Sequence, residues 1–412
     1  MKLEFKSVLF LGIGGVSMHQ LALAIKKMGI NVLGYDAKPS KYTKICEENG
    51  IKVTNVFSRD FLNVDLCIKT GAIKENNKFF QAVKKLGIKV LDRAEALAML
   101  TTEFKTVIAV AGTHGKSTTA ALIYEMLRVS GKNVSCHIGA DIYAPRFNLG
   151  DEFLVVEACE YNRSFLSLKP DISVVTNIEE EHMDCYGSLF NLRNAFTTFL
   201  RRGEKRFVML EDSTKFLRRR LKIEFVKKIS TTTTIKLKGE YNLKNISLAI
   251  QVAKSIGATD EAIKTVLETF AGVPRRYEFL GKYKQTKIFI DYAHHPTEIS
   301  QFVKTFAENN KNFLIVFQPH TYSRTKRFLD DFVGVFSKLN NIIIFKEYPA
   351  REKPCQGMSA KELFFEIQKV NDRVEYCSKE KYLISKLQDF DEVAFVGAGD
   401  IDLIARNIIK TN

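Results

Sequence analysis

The chain lacks the features that would place it in a membrane or staple it covalently. No apolar run approaches the ~18 residues that a membrane-spanning helix needs. The opening Met1-Lys2-Leu3-Glu4-Phe5-Lys6 has no long apolar core of the kind a signal peptide carries, so a cytoplasmic location is expected. Seven cysteines (Cys46, Cys67, Cys136, Cys159, Cys185, Cys355, Cys377) are scattered, odd in number and never spaced as Cys-x-x-Cys. That pattern fits reduced thiols better than a disulfide or zinc framework. No internal repeat is present, and the one low-complexity tract, Thr231-Thr232-Thr233-Thr234, reads as strand or loop without a function.

Nucleic-acid character is missing too, despite a net charge of +15 from 62 Lys and Arg against 47 Asp and Glu. The basic residues run along the whole chain. The densest groups are Arg201-Arg202 with Lys205-Arg206, and Arg218-Arg219-Arg220 with Lys222, Lys227 and Lys228. Neither is interleaved with aromatics on which bases could stack. A solvated basic face is the simpler reading, with a general attraction for anionic substrates beside it. At 412 residues the chain is too long for one core and suggests two or three domains of about 150 residues. Its 45% hydrophobic and 26% charged content suits a globular enzyme.

What is present is a series of strand–glycine–helix openings. Ser7-Val8-Leu9-Phe10-Leu11 leads into Gly12-Ile13-Gly14-Gly15, a helix through Gln20–Ile25, and a second strand Asn31–Tyr35 that ends at Asp36. This is a βαβ unit with glycines where a pyrophosphate could approach the backbone and an acid where a ribose could be held. Ser17 stands where the third glycine of a dinucleotide fingerprint belongs, so the unit fits an NAD domain or any nucleotide-diphosphate site. Further strands are expected at Phe153–Val156, Ile172–Thr176, Lys287–Ile290, Phe313–Phe317, Ile342–Phe345 and Glu392–Val396, alternating with helical patterns. Such alternation implies α/β architecture with parallel sheets covered on both faces. Ala271-Gly272-Val273-Pro274 reads as a linker or turn.

The most specific stretch is Val107-Ile108-Ala109-Val110-Ala111-Gly112-Thr113-His114-Gly115-Lys116-Ser117-Thr118-Thr119. A buried strand, a tight glycine turn and a helix opening on hydroxyl residues make a phosphate-binding loop. Backbone N–H groups surround an anion, a lysine reaches the terminal phosphates, and a hydroxyl ligates Mg²⁺. The full eight-residue pattern needs glycine where Val110 stands, so this is a shortened variant that points away from GTPases and general ATPases. Downstream, Val155-Val156-Glu157 presents a carboxylate at a strand end, where a hard cation could be held. His182, in Glu179-Glu180-Glu181-His182-Met183-Asp184, could ligate a second metal or be loop filler. Asp291–Glu298 and Gln318–Lys326 each follow a strand and converge on one sheet edge.

With these segments in order, the chain resembles the ATP-dependent Mur ligases of peptidoglycan synthesis over essentially its whole length. The resemblance rests on Gly12-Ile13-Gly14-Gly15 with Met18, Gly112–Thr119, Glu157-Ala158-Cys159-Glu160-Tyr161, and Asn177-Ile178 with His182-Met183-Asp184. It continues through Asp291-Tyr292 with His294–Glu298, Phe317–Thr325, Tyr348-Pro349-Ala350-Arg351-Glu352 and Gly397–Ile401. The doubled histidine and the Gln-Pro-His segment favour the family's alanine-adding branch.

The resemblance implies three domains: a Rossmann-like domain over 1–101, a central P-loop ATPase-type parallel sheet over 102–273, and a Rossmann-like domain over 274–412. In the first, Gly12, Gly14 and Gly15, with Asp36, would hold the UDP part of UDP-N-acetylmuramate. Gly112, Thr113, His114, Gly115, Lys116, Ser117 and Thr118 would cradle ATP, Ser117 and Glu157 would hold Mg²⁺, and His182 would help hold a second Mg²⁺ beside the sugar acid's carboxylate. Asn242 and Asn245 resemble a family segment near the adenine, with Tyr241 in place of its histidine. Arg276 would face the terminal phosphate and Asp291 the ribose. Tyr292, His294 and Arg324 would surround the incoming L-alanine, although Arg324 could instead pair with Asp330 or Asp331. The expected protein is a monomer or weak homodimer with no nucleic-acid or membrane partner. An acyl phosphate would form and then be attacked by the amine, with the third domain closing over the first two to exclude water.

Three departures accompany the likeness. Ser17 replaces a glycine at the first helix's start, the stretch Phe207–Glu240 is short for the family, and no lysine lies between His182 and Phe199 to be carbamylated. The last fits the alanine-adding branch. Competing readings are a sister ligase that attaches a recycled tripeptide to the same UDP sugar, an NAD-dependent oxidoreductase built on Asp36, and a non-catalytic nucleotide binder. The phosphate loop argues against the oxidoreductase, and the presence of Lys116 and His182 against the non-catalytic binder.

Overall fold

The structure, a computed structural model, describes residues 5–140, 152–219, 221–230, 235–350, 352–354 and 357–411. The threonine tract 231–234, Arg220, Arg351 and Cys355 lie outside the described residues. Among the described residues the strands form three sheets, each the centre of an α/β domain.

The first sheet comprises β1 (Ser7–Leu11), β2 (Asn31–Tyr35), β3 (Lys52–Thr54), β4 (Leu66–Lys69) and β5 (Lys89–Asp92), ordered β3-β2-β1-β4-β5 with every pair parallel. The alternation in β1 shows why both faces are covered. Val8 and Phe10 enter one hydrophobic cluster, while Leu9 and Leu11 enter another with Phe79, Phe80 and Val83. Strand order reverses between β1 and β4, the crevice where doubly wound sheets bind ligands.

The second sheet holds β6 (Thr106–Ala111), β7 (Val134–His137), β8 (Phe153–Glu157), β9 (Ile172–Val175), β10 (Lys205–Met209) and β11 (Glu224–Val226). Its order is β11-β10-β9-β6-β8-β7, again wholly parallel. β6 lies between β8 and β9, so three C-terminal strand ends open side by side where the phosphate loop begins. Phe165, Phe196 and Phe199 pack in this domain with ring centroids 5.1 Å apart in two of their pairs. Burying each such ring contributes about 1.5–3 kcal/mol.

The third sheet contains β12 (Glu278–Tyr283), β13 (Thr286–Asp291), β14 (Phe313–Phe317), β15 (Ile342–Phe345), β16 (Val374–Cys377) and β17 (Glu392–Val396), in the order β12-β13-β17-β14-β15-β16. β12 pairs antiparallel with β13 across an irregular register between Phe279 and Gly281, and the other pairs are parallel. Ile315 and Phe317 face one cluster, Leu314 and Val316 the other. By compactness the first two sheets share one unit, Met1–Lys236 with Asn242–Ala271, and the third belongs to a second, Leu237–Tyr241 with Gly272–Asn412.

The expected strands all form, and several unexpected ones join them. β3, β5, β7, β11, β12 and β16 are the sheet edges and β4 and β10 lie one strand in, all of three to six residues. Partly exposed edges such as β3, β5 and β12 do not need the apolar runs that marked the central strands.

Candidate active site

β6 runs apolar to Ala111, turns through Gly112–Gly115 and enters the helix Lys116–Val129. Glycine is required twice here. Gly112 and Gly115 have φ of 144° and 80°, and a Cβ on them would strike Thr176 and Asn245 respectively. The loop is laced to the end of β9. His114 N donates to Asn177 Oδ1 (2.8 Å), Thr176 Oγ1 to His114 O (2.5 Å), and Glu179 N to Thr113 Oγ1 (2.8 Å). His114 Nε2 stands 3.5 Å from Glu179 Oε2. Thr118 is buried in the helix's first turn.

Lys116 points back into this loop. Its ammonium donates to Gly112 O (2.6 Å), Thr113 O (3.0 Å) and Glu160 Oε1 (3.0 Å). Burial pulls its pKa down, but the negative charge of Glu160, Cys159 and Glu157 more than offsets this and holds it above 10.5. Ser117 Oγ donates to Glu157 Oε2 (2.9 Å), which also accepts from Gly139 N (2.9 Å). A hydroxyl and a carboxylate in contact at a strand end form an oxygen donor set suited to a hard cation. His182 approaches the same carboxylate oxygen, with Nε2 3.7 Å from Glu160 Oε1, and has a left-handed backbone (φ 56°). Asn242 and Asn245 are buried and joined by a 3.3 Å hydrogen bond, and Asn245 backs onto Gly115.

In the first sheet the glycine loop is self-braced. Gly12 N and Ile13 N donate to Tyr35 O, and Gly14 N to Asp36 Oδ2 (2.8 Å). Gly15 caps the helix Val16–Lys27 with backbone only, and Ser17 Oγ meets His137 Nε2 (3.1 Å) and Arg93 Nη1 (3.2 Å). Burial first, then Arg93, pushes the His137 pKa from 6.5 down to about 4, so its ring is neutral.

The second unit gathers charged groups at the ends of β13, β14 and β17. Asp291 closes β13 and is fully buried. Its oxygens accept from Tyr277 N (2.7 Å) and Ala293 N (2.7 Å). Desolvation raises its pKa from 3.8 to about 6 against the pull of Arg276. Tyr241 also neighbours Asp291 and Arg276 electrostatically, and burial raises its pKa. Tyr292 is flanked by Arg275 and Arg276, whose guanidinium carbons lie 4.6 and 4.9 Å from its ring centre. Glu298 links Arg276 (3.5 Å) to His294 Nδ1 (3.5 Å) and also accepts from His294 N (3.2 Å). His295 plays a separate part, as N-cap of the helix Pro296–Asn309. Arg324 Nη1 contacts His320 Nδ1 (2.9 Å) and His320 O (3.1 Å), and the His320 ring is 5.9 Å from that of His294. Gln318 holds the neighbouring loop through Asp400 Oδ1 (2.8 Å) and Ile401 N (3.1 Å).

Family models match in the same order as the sheets. The Mur ligase catalytic domain covers residues 7–105, the Mur ligase middle domain 110–233, and the Mur ligase glutamate ligase domain 275–399. The chain belongs to the Mur ligase family. It is 33% identical to a UDP-N-acetylmuramate–L-alanine ligase of Caldicellulosiruptor saccharolyticus, over 95% of this chain and 96% of that one. It is 34% identical to the enzyme of the same name from Flavobacterium psychrophilum, over 99% and 98%. Among solved structures, UDP-N-acetylmuramate-alanine ligase from Thermotoga maritima superposes with a TM-score of 0.82 at 23% identity, covering 99% of both chains. A murein peptide ligase from Psychrobacter arcticus gives 0.71 at 18% identity over 98% of each, a likeness of fold.

Within this Mur ligase, the expected residues fall into three groups: Gly12, Gly14, Gly15 and Asp36 at the first sheet; Gly112–Thr118, Glu157, His182, Asn242 and Asn245 at the second; Arg276, Asp291, Tyr292, His294 and Arg324 at the third. Glu160, Thr176 and Asn177 in the first unit, and Arg275, Glu298 and His320 in the second, were not singled out from sequence. Each lies inside or beside one of the family-like segments, but what marks it is a contact that only the fold brings about.

Proposed function

We propose that the protein is an ATP-dependent amide ligase joining L-alanine to the carboxylate of UDP-N-acetylmuramate in peptidoglycan precursor synthesis. The observation that carries this reading is full-length identity above 30% to ligases of that name, with the phosphate-loop lysine, hydroxyl and carboxylate all in contact positions. Segments 1–101, 102–273 and 274–412 divide the work among the UDP sugar, ATP and the amino acid. The protein works in the cytoplasm, alone or as a weak homodimer.

The muramate carboxylate attacks the γ-phosphorus of ATP, giving an acyl phosphate and ADP. The alanine amine then adds to the acyl carbon, and inorganic phosphate leaves with the C–O electron pair. Lys116 and Arg276 stabilise the charge on the transferring phosphoryl group. Gly112–Thr118 orient ATP by backbone N–H groups, with Asn242 and Asn245 beside the adenine and Asp291 at the ribose. Ser117, Glu157 and His182 are the groups that would hold Mg²⁺, which when bound supplies further charge neutralisation. Gly12, Gly14, Gly15 and Asp36 hold the UDP end, and Tyr292, His294 and Arg324 hold alanine. A guanidinium suits its carboxylate through two charge-assisted hydrogen bonds.

The test is ADP release by purified protein with UDP-N-acetylmuramate, comparing L-alanine, L-serine, glycine and the tripeptide. L-alanine should give the highest kcat/KM, and preference for the tripeptide would reassign the chain to the recycling reaction. ¹⁸O placed in the muramate carboxylate should appear in the released phosphate. If it does not, the acyl-phosphate route is wrong.

A further inference from the structure

Lys116 has three N–H groups, and all three are engaged within the chain, by Gly112 O, Thr113 O and Glu160 Oε1. A phosphoryl oxygen therefore has to displace one of them. The two carbonyls belong to the loop that carries the lysine. Glu160 comes from a different segment, just beyond β8, and it alone carries charge.

Glu160 is also unable to follow the lysine or to escape into water. Its backbone oxygen accepts from Tyr186 Oη (2.6 Å) and Arg163 N (2.9 Å), and its side chain is 2% exposed. Oε2 is buried and, among the described residues, has no hydrogen-bond partner. Once Lys116 turns to a phosphate, the carboxylate is left buried with the His182 ring 3.7 Å away and an anion close by. A buried charge in that state is strongly unfavourable unless a cation replaces the one it lost.

We propose that Glu160 is a positioning residue that competes with the nucleotide's phosphates for Lys116 and so keeps nucleotide binding weak until a cation takes the lysine's place at its carboxylate. The inference rests on the ATP-site reading above and adds a residue and an antagonism to it. ATP and the cation beside His182 then bind as a coupled pair, because each relieves the charge the other leaves exposed.

The test is ATP affinity by calorimetry in excess chelator, for the full chain and its variants. Glu160→Gln keeps the side chain's shape but removes its charge, and should bind metal-free ATP about tenfold more tightly than the unaltered protein. Glu160→Asp, too short to span the gap, should shift affinity the same way and guards against a folding failure of the glutamine variant. In a Lys116→Ala background the gain from Glu160→Gln should shrink to what relief of direct carboxylate–phosphate repulsion gives, because the competition acts through the lysine. Unchanged or weaker ATP binding in both Glu160 variants overturns the proposal, as does a gain that is undiminished without Lys116. An unaltered protein that binds no nucleotide with or without Mg²⁺ would overturn the ATP-site reading instead.

Discussion

The phosphate-loop site and the charged cluster of the second unit hold their cations in different ways. Lys116 is saturated by three short hydrogen bonds, two of them to carbonyls three and four residues before it. Arg276 sits 3.5 Å from Glu298, an ion-pair separation longer than a good hydrogen bond, and leans on the face of Tyr292. Two of the three contacts on the first site's lysine come from the loop's own backbone, and the third from Glu160 beyond β8. The second is assembled from the ends of β13, β14 and β17 and depends on side chains for its geometry. A lysine so placed leaves no substitute if removed, whereas the guanidinium network shares its charge among several groups.

Removing each cation in turn separates the two sites. Lys116→Ala should lower ligation about 10³-fold or more, because the proposed task of the lysine's charge is at the transferring phosphoryl group; the protein should still fold, at lower stability, since Glu160 is left buried without its partner. Arg276→Ala should lower it by about 10²-fold, because Arg275 also packs against Tyr292, 4.6 Å from its ring centre. Steady-state rates at saturating ATP, with circular dichroism as the folding check, decide it. Equal losses would show that the two sites do not differ as argued, and near-normal turnover of Lys116→Ala would remove the lysine from the mechanism.

The two units should also answer pH in opposite directions. His137, in the first, has its pKa lowered to about 4 from 6.5, so the unfolded chain binds the extra proton and stability falls as pH drops from 6.5 towards 4. Asp291, in the second, has its pKa raised to about 6 from 3.8. There the folded state binds the extra proton, and stability falls as pH climbs from 3.8 towards 6. Each effect is on the order of 3 kcal/mol across its window. Hydrogen-exchange protection of β7 and β13 amides, corrected for intrinsic rates, should move oppositely between pH 4.5 and 6, and His137→Leu or Asp291→Asn should flatten its own unit's response. Parallel movement in both units would refute the assignment.

Arg324→Lys tests the amino-acid end of the second cluster. The KM for L-alanine should rise about tenfold, with that for ATP changed little, because an ammonium cannot reproduce a two-pronged grip on a carboxylate. The contact with His320 gives the arginine a fixed starting direction, which lysine also loses. A loss of ATP affinity with alanine dependence intact would place the residue at the nucleotide instead.

The same contrast explains what could be read from sequence. Val107–Ala111 followed by Gly112, Gly115 and Lys116 announces a strand, a turn and a helix, because every needed property is local: apolar run, positive φ, cationic reach. β1 and β14 were legible for the same reason, as buried runs. β7, in contrast, ends in His137, a residue that looks polar until its contact with Ser17, 120 positions earlier, is known. Glu160 was visible as a letter in a segment but not as the partner of Lys116, 44 positions away. Asp36 suited a ribose contact by position, and the family resemblance implied one for Asp291. The fold gives each an additional task, bracing Gly14 in one case and the turn before Tyr277 in the other. Pairings across such distances are decided by topology, and no local pattern encodes them.

The mildest prediction concerns Glu298, which joins Arg276 and His294 without being placed on a substrate. Its carboxylate stands 3.5 Å from a guanidinium nitrogen on one side and 3.5 Å from His294 Nδ1 on the other, and it accepts the His294 N–H. Sitting in the first turn of the helix Pro296–Asn309, it is also favoured by the helix's positive end. Glu298→Gln keeps an acceptor for that N–H but removes the charge between Arg276 and His294. Arg276 and His294 then lose their common anchor while each retains other contacts, so kcat/KM for both ATP and L-alanine should fall together by about threefold, roughly 0.7 kcal/mol. Glu298→Asp, charged but shorter, should recover part of the loss if charge is what matters. A fall confined to one substrate would mean that Glu298 serves only one of its two neighbours, and the phosphate and amino-acid ends of this cluster would then have to be treated as separate sites.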